Sequence, residues 1–306
     1  MMTPRPDVGV DVDVVRFENA GGCPIIGVRS RDGVHPLAVQ TNGHLLRLSP
    51  ADLRTAVEDG LRTPPLARDD IRVLSFVDGR TEVWAAGVTY LRSKRAREQE
   101  SRKPSVYADV YNHDRPELFF KSPAWRVVTD LGPISVRADS SINIPEPELG
   151  LVLSARGDIL GYTVCNDVSS RSIEGENPLF LPQAKIFDGS CAVASSWRPW
   201  WTVSDPYSLR ICVELHRDGE CIWSDSTSTS LLHRDLLGLA KALVFELAMP
   251  DGALLATGTC LVPSLDVTLC GGDVVRIEIE GVGTLENRVE QRPPAALPAS
   301  LRDGRG

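Results

Sequence analysis

Residues 142–167 read INIPEPELGLVLSARGDILGYTVCND, and this stretch determines the fold that we expect. It contains two short apolar runs, LGLVLS and ILGYTVC, with the turn-forming letters SARGD between them. Short apolar runs bounded by a turn are typical of β-strands, and a brief connection places two such strands side by side. The stretch therefore predicts a β-hairpin.

Three acidic residues stand at the ends of these two predicted strands. Side chains two apart on a strand point to the same face, so Glu146 and Glu148 would point together while Pro147 points away. Asp167 ends the second strand and would complete the group. Like charges that share a site repel, and a hard divalent cation such as Mg²⁺ relieves that repulsion. The alternative is a solvent-facing pair of glutamates on an edge strand, with which Pro147 is also compatible.

The rest of the chain is also rich in strand-forming sequence. Short apolar runs recur between turns, among them VWAAGVTY, FFKSP, RVVTD, LRICVELH, TCLVP and DVVRIEIEG. Leucines at helical spacing predict one long helix from Ser230 to Met249. The expected fold class is therefore mostly β (α+β).

Changes in composition divide the chain into regions. Residues 1–75 are expected to form a small N-terminal α+β domain, with a helix that begins after Ser49 and ends at Gly60. The stretch TPPLARDD at 63–70 is the predicted linker, and residues 76–291 form the main β domain. The tail at 292–306 is proline-rich and poor in apolar residues, so we expect it to be flexible.

Composition also restricts the class of ligand. The 306 residues are 42% hydrophobic and carry a net charge of −8, with an isoelectric point near 5.2. This acidic balance argues against nucleic acid or an anionic membrane as a partner and favours a small molecule. The seven cysteines include no CxxC pair, the N-terminal aspartates do not fit a signal peptide, and no apolar run has the length of a membrane span. A cytoplasmic protein is expected.

Two further segments place charged residues among apolar ones. RPELFFK at 115–121 carries Glu117 and Lys121, and QAKIFDGSC at 183–191 carries Lys185 and Asp188. A single lysine or glutamate in such a place is more often paired or partly solvated than catalytic. Together with the three carboxylates, these residues predict one shared site.

Six motifs occur in order along the chain: AAGVTY, RPELFFK, PEPELGLVL, GYTVCNDVSSR, LPQAKIFDGSC and GDVVRIEIEGVGTLEN. Over about residues 80–290 the chain resembles the fumarylacetoacetate hydrolase superfamily. The resemblance implies the mixed β-sandwich roll of that superfamily and a homo-oligomer. It also implies that Glu146, Glu148 and Asp167 bind Mg²⁺, with Mn²⁺ or Ca²⁺ as alternatives, and that Lys185 lies in the active site.

Within the superfamily the chain is most similar to the 2-keto-3-deoxy-pentonate dehydratases, through VYNHDRPELFFK and DVSSRSIEGENPLFLPQAKIFDGSC. Hydrolases of the superfamily carry G-x-N-Y-x-x-H, whose histidine activates water, whereas this chain has Ser93 at the histidine position. The resemblance implies a Mg²⁺-dependent dehydratase that forms 2,5-dioxopentanoate from a 2-keto-3-deoxy-pentonate. The alternatives are an acylpyruvate- or fumarylacetoacetate-type hydrolase that cleaves a C–C bond, an enzyme for another 2-keto acid, and a binding protein without turnover.

The expected mechanism gives roles to the remaining candidates. A 2-keto acid that chelates the metal has an acidic C3 proton. Lys185 and Glu117 are the predicted catalytic base and acid, in either order. The predicted substrate-binding residues are Gly87, Arg92, Ser93, Asp188 and Thr259. The turn at 192–197 departs from the pattern expected of sugar-acid dehydratases, which leaves the exact substrate open.

Overall fold

The structure is a computed structural model that describes residues 11–19, 21–67, 71–100, 105–264 and 266–291. The predicted flexible tail at 292–306 lies outside these residues, as does the end of the predicted linker, residues 68–70. Within the linker, Leu66 forms an antiparallel bridge with Val34. This part of the linker is therefore tied to the N-terminal strands.

Strands dominate the described part of the chain. The strands are β1 (Asp13–Glu18), β2 (Pro24–Arg29), β3 (Val34–Pro36), β4 (Arg72–Leu74), β5 (Glu82–Gly87), β6 (Glu117–Pro123), β7 (Pro133–Val136), β8 (Asn143–Ile144), β9 (Pro147–Leu153), β10 (Ile159–Asp167), β11 (Ser169–Ser170), β12 (Cys191–Val193), β13 (Ser196–Pro199), β14 (Arg210–Arg217), β15 (Glu220–Ser228), β16 (Ala253–Ala256), β17 (Val274–Ile279) and β18 (Gly283–Gln291). The helices are α1 (Asn42–Leu45), α2 (Pro50–Gly60), α3 (Leu91–Glu100), α4 (Ser105–Asn112), α5 (Arg171–Glu176), α6 (Leu181–Lys185) and α7 (Leu236–Val244).

These strands form two large sheets and one small one. The larger sheet has the order β3-β2-β1-β13-β10-β9-β16-β5-β6, with β12 paired to β10 and β4 to β1. The second sheet has the order β15-β14-β17-β18-β7, and β8 pairs with β11 alone. The predicted hairpin is confirmed, because β9 and β10 pair antiparallel and the Ser154 hydroxyl accepts hydrogen bonds within their turn.

Strand β9 is buried on both faces, which explains why residues 149–153, after Glu148, are all apolar. Leu149 and Leu151 belong to a core cluster with Val213 of β14 and Ile277 of β17, so the two large sheets pack face to face. On the opposite face, Val152 belongs to a cluster that includes residues of α2. Each such side chain stabilises the fold by about 1.5–3 kcal/mol through burial. The prediction of a mostly β, sandwich-type fold is confirmed.

The predicted helices agree with the structure to different degrees. Helix α2 begins after Ser49, whose hydroxyl accepts a hydrogen bond from the Asp52 amide. The predicted helix from Ser230 to Met249 is wrong in its bounds, since α7 covers only Leu236–Val244. The chain before α7 makes other bonds: the His233 amide donates to the Thr89 carbonyl and Asp235 caps the helix.

Two of the predicted strands do not form. The run at 126–130 contributes only an isolated bridge from Val128 to Ala192, and the run at 259–263 is irregular. The predicted strand at 83–90 ends at Gly87, because Val88 adopts a left-handed conformation with φ of 53°. Both the irregular run and this strand end lie beside the candidate site.

The N-terminal strands continue the main sheet, since Val14 and Val15 of β1 pair with Trp197 and Ser196 of β13. The domain boundary near residue 75 therefore remains a prediction from the sequence.

Among the described helices, none has both the length and the apolar character needed to cross a membrane.

Candidate active site

Three carboxylates meet where β9 begins and β10 ends. The antiparallel register places Glu148 opposite Cys165, and the Asp167 amide donates to the Glu146 carbonyl at 3.0 Å. Glu146, Glu148 and Asp167 each offer one oxygen, and these oxygens lie within 4.8 Å of one another. All three side chains are buried. The register of the hairpin thus creates the group that the sequence predicted.

Lys185, the last residue of α6, neutralises two of the carboxylates. Its ammonium group donates to Glu146 Oε2 and Asp167 Oδ2, both at 2.8 Å, and to the Ser169 hydroxyl at 2.6 Å. These three bonds use all three protons of the group. Burial alone would lower the pKa of Lys185, but the charges of Asp167 and Glu146 raise it above its ordinary value. Lys185 is therefore held as a cation.

Lys121 of β6 holds the same carboxylate from the other side. Its Nζ lies 2.5 Å from Asp167 Oδ1 and donates to the carbonyls of Val168 and Lys185 at 3.1 and 2.6 Å. The side chain is 1% exposed. Lys121 thus ties Asp167 to the segment that carries Lys185.

Two arginines complete the cation shell around Glu146. Arg97 of α3 and Arg171 of α5 lie 3.1 and 3.2 Å from Glu146 Oε1, and Arg97 also pairs with Glu174 at 3.0 Å. Burial would raise the pKa of Glu146, but Lys185 and Arg97 lower it to about 2. Glu146 is therefore ionised and bound on several sides.

Glu148 differs from the other two carboxylates. Among the described residues, no lysine or arginine lies within ion-pair distance of it, and the Gly258 amide donates to its Oε2 at 2.7 Å. Burial, followed by the charges of Asp167 and Glu146, raises the pKa of Glu148 well above its ordinary value. A buried carboxylate is costly without a cation, and oxygen ligands suit a hard divalent ion. The residues present therefore fit a magnesium ion.

Glu117 faces the same cavity from the start of β6. It pairs with Gly87 of β5, and a Cβ atom on Gly87 would lie 2.1 Å from Glu117 Oε2, so a larger residue at 87 would displace this carboxylate. Burial raises the pKa of Glu117 to about 7, with Glu174 adding to the effect and Arg97 and Lys185 opposing it. A group with this pKa can take and return a proton near neutral pH.

The empty space among the lining residues is about 320 Å³, a figure that includes open solvent at the mouth of the cavity. Besides the three carboxylates, its polar lining consists of Ser93, Arg97, Glu117, Glu174, Lys185 and Thr259. Gly87 and Val88 contribute to the lining as well, and the Ser93 hydroxyl donates to the Tyr90 carbonyl at 2.9 Å. The structure thus brings together eight predicted site residues: Gly87, Ser93, Glu117, Glu146, Glu148, Asp167, Lys185 and Thr259.

Two predicted substrate-binding residues are not part of this lining. Arg92 pairs with Asp225 at 2.6 Å on the exposed side of α3. The side chain of Asp188 is 68% exposed and lies 3.2 Å from Arg126. Both side chains are thus paired with residues that lie outside the cavity lining.

Sequence reasoning did not assign Arg97, Glu174 or Arg171 to the site. Arg97 lies in a strongly charged helix, where nothing in the local pattern distinguishes it from neighbouring arginines.

Residues 192–197, which depart from the sequence pattern expected of sugar-acid dehydratases, form regular structure. Ala192 of β12 pairs with Asn166, and Trp197 of β13 pairs with Val14.

Comparison with known proteins gives consistent results. A family model described as fumarylacetoacetate (FAA) hydrolase C-terminal matches residues 82–290. A "Probable 2-keto-3-deoxyxylonate dehydratase" of Haloferax volcanii is 50% identical over 258 residues, which are 82% of this chain and 88% of the relative. A 2-dehydro-3-deoxy-D-arabinonate dehydratase of Saccharolobus solfataricus is 39% identical over 228 residues, which are 73% and 76% of the two chains.

A solved structure is similar to almost the whole chain. It is described as "2-keto-3-deoxy-D-arabinonate dehydratase complexed with magnesium and 2,5-dioxopentanoate". It is 32% identical, has a TM-score of 0.78, and the match covers 92% of this chain and 99% of the other. The similarity therefore extends beyond residues 82–290, the part that the family model matches.

Proposed function

The chain belongs to the fumarylacetoacetate hydrolase family, and from this premise we propose that it is a Mg²⁺-dependent dehydratase of a 2-keto-3-deoxy-pentonate. The proposed product is 2,5-dioxopentanoate. Because the chain is similar to dehydratases over most of its length, it is an enzyme that removes water from a keto sugar acid. The metal, the mechanism and the individual roles of the residues are our proposal.

One observation carries the proposal: a buried group of three carboxylates in which Glu148 has no cationic partner among the described residues. The similar structure with magnesium and 2,5-dioxopentanoate supports the same reading. Mg²⁺ is preferred because it is small and binds carboxylate oxygens. Mn²⁺ and Ca²⁺ also bind carboxylate oxygens and are the alternatives to test.

The charges around the cavity also fit a monocarboxylate substrate. Among the described residues, five carboxylates meet four cations, namely Glu117, Glu146, Glu148, Asp167 and Glu174 against Arg97, Lys121, Arg171 and Lys185. With all five carboxylates ionised, this described set has one excess negative charge. A divalent metal ion would change the balance to one excess positive charge, and one substrate carboxylate would then neutralise the site.

In the proposed mechanism Glu117 is the base and Lys185 is the acid. When bound, Mg²⁺ would polarise the keto group of the substrate and so acidify the adjacent C3–H. Glu117 takes the C3 proton, and the C4 hydroxyl leaves as water with a proton from Lys185. Proton shifts from C5 to C3, and then from the enol oxygen to C4, convert the unsaturated product to 2,5-dioxopentanoate. The bonds between Lys185 and two carboxylates support its assignment as the protonated partner.

The structure gives little support to the alternative of a C–C hydrolase. Such an enzyme needs a base that activates water, and among the residues that line the cavity there is no histidine. Ser93, at the corresponding position, donates its hydroxyl proton to the Tyr90 carbonyl. A binding protein without turnover does not explain why Glu117 and Lys185 face the same cavity.

The decisive experiment is an assay of the purified protein with Mg²⁺ on 2-keto-3-deoxy-pentonates and, separately, on acylpyruvates. We expect the pentonates to yield an aldehyde product and the acylpyruvates to release no pyruvate. Glu117→Gln is the matched variant, because it keeps the metal ligands and removes the proposed base. Pyruvate release as the main reaction, or full activity in excess chelator, would refute the proposal.

The family resemblance also leads us to propose a homo-oligomer located in the cytoplasm. Large apolar side chains such as Trp125, Leu131 and Leu179 are at least three-quarters exposed, which is compatible with contacts to a second copy. Light scattering coupled to gel filtration would measure the number of subunits.

A further inference from the structure

A single peptide group lies between Thr89 and the metal-ligand candidate Glu148. The Thr89 hydroxyl donates to the Thr257 carbonyl at 2.7 Å, and the Gly258 amide donates to Glu148 Oε2, also at 2.7 Å. This carbonyl and this amide belong to the same peptide unit, which is planar and trans. Thr89 and Glu148 therefore bind opposite edges of one rigid group.

The hydrogen bond from Thr89 affects the hydrogen bond to Glu148 because both involve the same peptide group. A hydroxyl that donates to a carbonyl polarises the peptide and strengthens the bond that its N–H donates on the other side. Glu148 has no lysine or arginine within ion-pair distance among the described residues, so this amide is an important determinant of its orientation. Thr89 and Glu148 are 0% and 1% exposed, and water does not compete for these bonds.

The local backbone is shaped to bring these groups together. Gly258 has φ of 93°, and a Cβ atom there would lie 2.0 Å from Thr89 Oγ1. Thr257 is fixed on the other side, where its amide and hydroxyl both bind the Leu149 carbonyl. Only glycine permits so close an approach between the peptide and Thr89.

Thr89 itself is held in place on both sides. Its carbonyl accepts the His233 amide at 2.9 Å. The preceding residue, Val88, has φ of 53°, a conformation that is costly for a β-branched side chain and is kept only where the surroundings enforce it. The position of the Thr89 hydroxyl is thus determined by the fold.

We propose that Thr89 is a positioning residue for the metal centre, which sets the orientation of Glu148 through the Thr257–Gly258 peptide. Thr89 is not among the residues that line the cavity, so its proposed effect on the metal centre is exerted through the peptide group. This inference rests on the proposed function, because Glu148 needs a defined orientation only as a metal ligand. Residues that orient metal ligands typically contribute about 10- to 100-fold to metal affinity.

The test is calorimetric titration of the metal-free, full-length protein with MgCl₂. Thr89→Val keeps the shape of the side chain and removes the donor, so we expect the Mg²⁺ dissociation constant to rise about ten-fold or more. Thr89→Ser keeps the donor and is expected to bind Mg²⁺ like the wild type.

Thr163→Val is the matched control. Thr163 is also 0% exposed, and its hydroxyl donates to the Ser196 carbonyl at 2.8 Å, but it lies outside the cavity lining. Both valine variants are expected to lower the melting temperature, and only Thr89→Val is expected to weaken Mg²⁺ binding. A purely structural role for Thr89 would change stability alone.

Two results would overturn the inference in distinguishable ways. Unchanged Mg²⁺ affinity in Thr89→Val refutes the role of Thr89 and leaves the proposed function intact. Absence of Mg²⁺ binding in the wild type refutes the proposed metal centre and the role of Thr89 with it. If Thr89→Val does not fold, Thr89→Cys, a weaker donor, is expected to weaken Mg²⁺ binding, and wild-type affinity in that variant would count against the inference.

Discussion

At the scale of single residues, the two glutamates of the Pro-Glu-Pro-Glu stretch have opposite surroundings. Glu146 is surrounded by Lys185, Arg97 and Arg171, whereas Glu148 has no cationic partner among the described residues. Removing one member of a buried ion pair leaves the other charge buried and unpaired. Replacing Glu148 leaves no such partner behind, and its raised pKa shows that burial already disfavours the charged form of this carboxyl.

We therefore predict opposite effects of two substitutions that both abolish metal binding. In excess chelator at neutral pH, Glu146→Gln should lower the free energy of unfolding by about 3 to 5 kcal/mol, because it removes the carboxylate that three buried cations share. Glu148→Gln should leave it unchanged or raise it by about 1 kcal/mol. Urea denaturation of both variants measures the difference, and an equal loss of stability would contradict the assignment of Glu148 as the unpaired ligand.

The pKa of Glu117 leads to a prediction about pH. As the base, Glu117 must be ionised, so kcat/KM should rise with pH through the Glu117 pKa. Burial raises that pKa to about 7, and a bound cation would lower it. The rise should therefore be centred at or below pH 7 in the Mg²⁺-loaded enzyme. A fall in kcat/KM across this range would assign Glu117 as the acid.

The same group affects the stability of the metal-free protein. The pKa of Glu117 is raised from about 4.5 to about 7 on folding. Its contribution to stability is therefore present below pH 4.5 and is lost as the pH rises to about 7. Glu117→Gln should remove this part of the pH dependence, which urea denaturation at several pH values would measure.

At the scale of secondary structure elements, α3 is unusual because polar contacts hold it over the cavity. Of its described side chains, only Ser93 and Arg97 are buried, and Leu91 is 43% exposed. Most helices in proteins are stabilised by an apolar face that packs on the core. The attachment of α3 therefore depends on polar contacts, among them the ion pairs of Arg97 with Glu146 and Glu174 inside the cavity and that of Arg92 with Asp225 outside it.

We predict that Arg97→Met loosens α3. Charged hydrogen bonds of this kind contribute about 1.5–3 kcal/mol, so amide hydrogen exchange in α3 should be at least about ten-fold faster than in the wild type. Arg95→Met is the matched control, because Arg95 is an exposed arginine of the same helix. Exchange in β14 would report global stability, and equal acceleration in α3 and β14 would show that Arg97 stabilises the whole fold instead.

The elements also show what could be predicted from the sequence. The hairpin of β9 and β10 was predictable because its apolar runs and turn are local, and so was the position of the three carboxylates at its ends. The bounds of α7 were not, because contacts distant in sequence, such as that of His233 with Thr89, determine where the helix begins. Arg97 and Glu174 reach the site from separate helices, and no local pattern marks them.

At the scale of the whole molecule, the candidate metal ligands stand at the junction of the two hydrophobic cores. Strand β9 contributes Leu149 and Leu151 to the core between the sheets and Val152 to the core beneath α2. Neighbouring β10 likewise supplies Val164 to the first core and Leu160 to the second. A change that stabilises the ends of these strands should therefore stabilise both cores together.

The last prediction follows from this position. A ligand that binds only the folded state at one hundred times its dissociation constant stabilises it by about 2.7 kcal/mol, so Mg²⁺ should raise the unfolding midpoint by roughly 5 °C. The shift should be the same by tryptophan fluorescence and by circular dichroism, because Trp84 and Trp197 report on different cores. Glu148→Gln should show no shift at matched ionic strength. A shift seen by one probe only would mean that the metal stabilises the site locally, without coupling the two cores.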